Sequence, residues 1–94
     1  MYTTIFIISC HIELDRLNIS TFLEDSWGAE IDQELDCVTQ YTLISRHEPD
    51  LAEFEQLISD CEDKDLIVNY VCCGFRQINI NAVREYSNGN WKFK

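Results

Sequence analysis

The sequence predicts an α+β protein, a two-layer sandwich in which an antiparallel or mixed sheet of four to five strands carries two helices on one face. Three observations support that expectation. Residues 2–10 and 66–73 are runs rich in Ile, Val, Thr, Phe, Tyr and Cys, with the branching and bulk of buried strands. Between them Leu51, Phe54, Leu57, Ile58 and Cys61 recur at helical spacing. Near the C-terminus Asn88-Gly89 separates two short β-type segments, which is the strongest short-range signal for a hairpin.

Taken in order, residues 2–10 form a buried strand. From Asn18 to Trp27 a helical period places Ile19, Phe22, Leu23 and Trp27 on one face, a stripe that Leu14 and Leu17 can extend backwards, with Asn18 or Ser20 as cap and Gly28 as terminator. Residues 29–37 alternate differently. Glu30, Asp32, Glu34 and Asp36 occupy every even position and mainly apolar residues the odd ones, so the period is two and the segment a strand with a carboxylate face. Val38 to Ser45 is again β-prone, either as a continuation of that strand or as its hairpin partner. Pro49 suits the first turn of the next helix, with Glu48 and Asp50 near the positive end of its dipole. Leu66–Cys73 has the length of a central strand, and Gly74 marks a bulge or bend. A two-residue turn at Asn88-Gly89 pairs Tyr86 with Trp91 and Glu85 with Lys92. The order β-α-β(β)-α-β-β favours a ferredoxin-like split βαβ plait, formed by a single domain over residues 1–94.

Charge divides the chain in two. Residues 1–65 hold sixteen of the seventeen acidic residues and three of the seven basic ones, a formal −13, against +3 for residues 66–94. Such a field repels nucleic acid and anionic membrane and attracts basic surfaces. The first apolar run is short, has no basic residue before it and meets Glu13 and Asp15 at once. No segment approaches the roughly 20 apolar residues of a membrane span, so the expected compartment is the cytoplasm. Five cysteines without framework spacing, mostly inside apolar runs, fit reduced thiols in such a compartment.

Other chemistries find little support. Cys10-His11, Cys37, His47, Cys61 and Cys72-Cys73 contain no C-x-x-C pair, and adjacent strand residues point to opposite faces, so no metal site is expected. The acidic alternation of 32–36 lacks the glycine and terminal glutamate of a Ca²⁺ loop. Gly28, Gly74 and Gly89 form no phosphate-cradling loop, and exposed carboxylates lack the burial that lifts a pKa toward catalytic use. No enzyme activity and no cofactor are expected.

The expected partner surface is therefore the acidic one: Glu30, Asp32, Glu34 and Asp36 on the strand, with Glu53, Asp60 and Asp63 along the second helix. In size, acidity and compactness the chain resembles the small DNA-mimic inhibitors that phages and mobile elements direct against restriction and CRISPR nucleases. That resemblance implies a protein that binds no nucleic acid itself and blocks the basic nucleic-acid site of a nuclease. Two alternatives share the composition: an immunity protein or antitoxin neutralising a basic nuclease toxin, and a regulatory or ligand-binding plait domain that dimerises through its sheet. Tyr86, Trp91 and Phe93 on the terminal hairpin form the expected homodimer contact, with the basic C-terminal half meeting a neighbour's acidic half.

Overall fold

The computed structural model describes residues 1–74 and 80–93, with the side chains of 80–82 and 93 excepted. One antiparallel sheet contains β1 (Tyr2–Ser9), β2 (Glu30–Leu35), β3 (Val38–Ser45), β4 (Ile67–Cys73), β5 (Ile80–Ser87) and β6 (Asn90–Phe93) in the spatial order β2-β3-β1-β4-β5-β6. Six strands among the described residues replace the expected four to five. Residues 29–45 fold back as two strands, and both arms of the terminal hairpin join the same sheet. The first reversal is made by Asp36, whose φ of 51° is tolerated by a short polar side chain. The second uses Asn88 and Gly89, both at positive φ, and sets the Tyr86–Trp91 and Glu85–Lys92 register.

Among the described residues two helices fill the second layer. Helix α1 (Glu13–Ser20) begins five residues before the expected cap, and neither Asn18 nor Ser20 starts it. From Thr21 to Ser26 it widens into a π-helix, where Trp27 N donates to Phe22 O at 3.2 Å. Phe22 and Trp27, five residues apart, thereby face each other with ring centroids 4.7 Å apart. Gly28 ends this segment at φ 74°, as its lack of a Cβ allows. Helix α2 (Leu51–Ser59) starts at Asp50, whose Oδ1 accepts from Ala52 N at 3.1 Å, so Pro49 stands before the cap rather than inside the first turn.

The core lies between the layers. Alternation along β1 buries Thr4, Phe6 and Ile8, and the strands on either side contribute Tyr41, Leu43, Val68 and Tyr70 to the same face. Ile19, Leu23, Phe54 and Ile58 cover them from the helices. Phe54 is the hub, with ring centroids 4.9 Å from Phe6, 6.3 Å from Phe22 and Trp27, 6.4 Å from Tyr70 and 6.5 Å from Trp91. Burying a ring of this size contributes about 1.5–3 kcal/mol, and each well-oriented aromatic pair adds about 0.5–1.5 kcal/mol.

Among the described residues no element covers the opposite face of the sheet. On β1 it presents Thr3, Ile5, Ile7 and Ser9. Register then assigns Val38, Gln40, Thr42 and Ile44 of β3 to it, and Ile67, Asn69, Val71 and Cys73 of β4. Among the described residues no helix is long and apolar enough to cross a membrane.

Candidate protein-binding surface

The acidic strand does not present one carboxylate face. A bulge between Ile31 and Gln33 shifts its register, so Glu30 pairs with Thr42 while Glu34 pairs with Thr39. Thr42 and Thr39 are three residues apart and therefore point to opposite sides. Glu30 belongs to the open face, and so does Asp32, whose carboxylate accepts from Thr42 Oγ1 and from Gln40 Nε2. Glu34 lies on the helix side, where it and Asp36 line a groove of about 320 Å³ with Glu13, Arg16, Leu17 and Tyr41. A single extra residue thus divides the row expected from strict alternation.

The helical stripe changes at its end. Glu53 is exposed, and Asp60, also exposed, accepts from Gln56 Nε2 at 3.1 Å. Asp63 is only 7% exposed and is no part of a surface. It lies beyond α2, where its Oδ2 accepts from His11 N at 2.6 Å and its Oδ1 from Asp65 N at 2.9 Å. Burial alone would raise the Asp63 pKa, but the amides of His11 and Asp65, with the His11 ring beside it, hold it below the ordinary value.

Asp15, 4% exposed, makes the return connection. Its Oδ2 accepts from Glu62 N at 3.0 Å and from Asp63 N at 2.8 Å. The two carboxylates therefore clamp the β1–α1 junction to the loop after α2, each satisfying backbone amides of the other's segment. The signal for Asp15 is present in the sequence: it stands four residues before Ile19 and eight before Leu23, on the buried stripe of the helix. An acid at such a position needs donors.

A second cluster fixes the C-terminal hairpin. Glu55 of α2 accepts from Tyr70 Oη at 2.6 Å and from Arg84 Nη1 at 2.5 and 2.6 Å, and the Arg84 guanidinium lies 5.2 Å from the centre of the Trp91 ring. Burial, then the neighbouring Glu55, pushes the Tyr70 hydroxyl well above its usual range. Arg84 does offset the acidic half, as its sign suggests. Tyr86 and Trp91, expected at a homodimer contact, instead pack inside their own chain: Tyr86 is 7% exposed and its ring lies 5.2 Å from that of Trp91. The Phe93 side chain lies outside the described residues.

All five cysteines are free thiols. Burial pushes Cys61 up to about 12 and also raises Cys10 and Cys72. Among the described residues no group of three or more His, Cys, Asp or Glu side chains is placed to hold a metal ion. The helix layer and its loops expose the carboxylates Glu13, Asp25, Glu34, Asp36, Glu53, Asp60 and Glu62, with Glu48, Asp50 and Asp65, against the exposed cations Arg46 and Lys64. No protein-family model matches this chain, and no curated protein or solved structure matches it either.

Proposed function

We propose that the chain is a small acidic inhibitor that binds a basic protein through its helix layer and keeps nucleic acid out of that partner's binding site. The observation that carries this reading is the segregation of charge between the faces. Exposed carboxylates gather on α1, α2, their loops and the Glu34–Asp36 rim of β2, while the outward residues of β1, β3 and β4 carry no charge. Acid kept only for solubility has no reason to avoid the three central strands of one face, where Glu30 and Asp32 stand only at the β2 edge. Glu53 and Asp60 are two helical turns apart, about 10.5 Å along the axis. Sparse carboxylates at such spacing suit a lysine- and arginine-lined groove that normally holds a phosphate backbone. The mechanism is steric and electrostatic competition, with no bond made or broken. Glu30, Asp32 and Asp63 have no part in this surface.

The scaffold for that surface is proposed to be a ferredoxin-like plait extended by a hairpin. The run β1-α1-β2-β3-α2-β4 with spatial order β2-β3-β1-β4 supports this reading, since each helix joins two strands separated by a third.

Affinity capture from the host cell tests the function. The wild-type chain should retain a nucleic-acid-binding protein, and added nucleic acid should displace it. The variant Glu34→Lys/Asp36→Lys/Glu53→Lys should release it. A variant that retains the same partner equally well at every salt concentration overturns the proposal.

A further inference from the structure

We infer that the open sheet face is a self-association surface on which two copies stack sheet against sheet, related by a two-fold axis that runs along the strands between β1 and β4. The occupant follows from charge. At a net −10, contact between two copies through their helix layers sets carboxylates against carboxylates. The outward face of β1, β3 and β4 carries no charge, so copies meet there without that repulsion. It is also apolar where it is most open: Ile44 is 63% exposed, Ile7 and Ile67 are each 43% exposed, and Ile5, Val71 and Val83 line a hollow of about 130 Å³ at its centre.

The margins choose the orientation. Asp32, hydrogen-bonded to Gln40, marks the β2 edge of this face, and Lys92 marks the β6 edge. The ladder Lys92–Glu85–Asn69–Ile7–Gln40 runs from β6 to β3, where Gln40 pairs with Gln33 and hydrogen-bonds Asp32, so Lys92 and Asp32 stand close to the same height along the strands. In the order β2-β3-β1-β4-β5-β6 the midline falls between β1 and β4. A two-fold axis there, parallel to the strands, keeps height and exchanges edges, setting each Asp32 over the opposing Lys92. Glu85 then lies over β3, whose outward residues are uncharged. An axis across the strands would set β2 on β2 and acid on acid. Stacked sheets at about 10 Å and roughly −30° accept the parallel-axis arrangement. Four strands about 4.8 Å apart and about seven residues long give a platform of roughly 19 × 23 Å. That is small beside the ~800 Å² per partner of a standard interface, so the dimer is a micromolar one.

Sedimentation equilibrium of the full chain, from about 10 µM to about 1 mM, tests this. The expected result is a monomer–dimer equilibrium that tightens as salt screens the two net charges. Ile44→Lys and Ile44→Glu should each weaken it at least about tenfold, because either sign buries an unpaired charge. Circular dichroism confirms folding, and Ile67→Lys replaces any Ile44 variant that fails to fold. Asp32→Lys and Lys92→Glu should each weaken the dimer, and the double variant should restore it. A monomer throughout the range, or a dimer indifferent to both Ile44 and Ile67, overturns the proposal. A dimer broken by Ile44 but not rescued by the charge exchange overturns the two-fold arrangement.

Discussion

On the covered side of the sheet Phe6, Tyr70 and Trp91 close around Phe54. On the other side Ile5 and Ile7 of β1 and Ile44 of β3 have no layer over them among the described residues. The two faces share a backbone and differ in what covers them and in where charge is allowed. The covered face has charged residues packed into or around it, and each has partners: Asp15 and Asp63 with backbone amides, Glu55 with Arg84 and Tyr70. The open face has none across its three central strands. Buried charge here serves construction; in the proposed reading the exposed charge over the helices meets a partner and the uncharged central strands meet a copy.

The largest effect that sharpens this comparison is on stability. Phe54→Ala removes the ring at the centre of the aromatic cluster and should cost about 3–5 kcal/mol. Ile44→Ala, on the open face, should change the stability of the monomer by less than about 0.5 kcal/mol. Chemical denaturation of the two variants below the dimer range checks both. Similar losses would mean that the open face is covered in solution.

Next comes the carboxylate clamp. Asp63→Asn and Asp15→Asn each leave buried amides facing a weaker acceptor, at about 1–3 kcal/mol. For Asp63 the pH dependence has a definite sign. Its folded pKa lies below the unfolded value near 3.9, so its contribution is complete above that value and is lost as pH falls through the folded one. Acid titration of stability should therefore be shallower below about pH 4 in Asp63→Asn than in the parent. Equal slopes would remove Asp63 from the clamp.

Smaller again is the hairpin anchor. Glu55→Gln keeps an acceptor for Tyr70 but removes the charge facing Arg84, and should cost about 1–2 kcal/mol at neutral pH. The change should also increase exchange of the β5 and β6 amides relative to those of β1, since this cluster ties the terminal strands to α2. Uniform change across all six strands would mean that the pair stabilises the whole fold instead.

Much of this was legible in the chain. Helix α2 could be read from Leu51, Phe54 and Ile58, and the terminal hairpin register from Asn88-Gly89, because both depend on local spacing. The site was legible only in composition. Alternation from Glu30 to Asp36 assumed an unbroken pleat, and the bulge after Ile31, fixed by pairing with β3, has no local signature. Asp63 continued the helical stripe on paper but follows the helix end, where a buried amide claims it. Tyr86 and Trp91 read as surplus aromatic surface because nothing local reveals that Trp91 meets Phe54 of α2, or that Arg84, held by Glu55, lies over its ring.

The smallest stability effect bears most on function. Glu53→Lys and Asp60→Lys alter exposed side chains on the helix layer, Asp60 giving up only a solvent-facing bond to Gln56. Each should shift stability by no more than about 0.5 kcal/mol, and relief of like-charge repulsion favours a slight gain. Affinity for the basic partner should behave differently, because each reversal replaces an attraction by a repulsion across the interface, at about a kcal/mol or more per site. The loss should be largest at low salt and fade as the screening length shrinks toward about 8 Å, while the dimer through the open face strengthens over the same salt series. Two associations with opposite salt dependence, each abolished by substitutions on its own face only, would establish that the two sides act independently. If Glu53→Lys and Asp60→Lys leave partner binding unchanged at low salt, the acidic face is only a solvated surface, and the neutral face becomes the functional one.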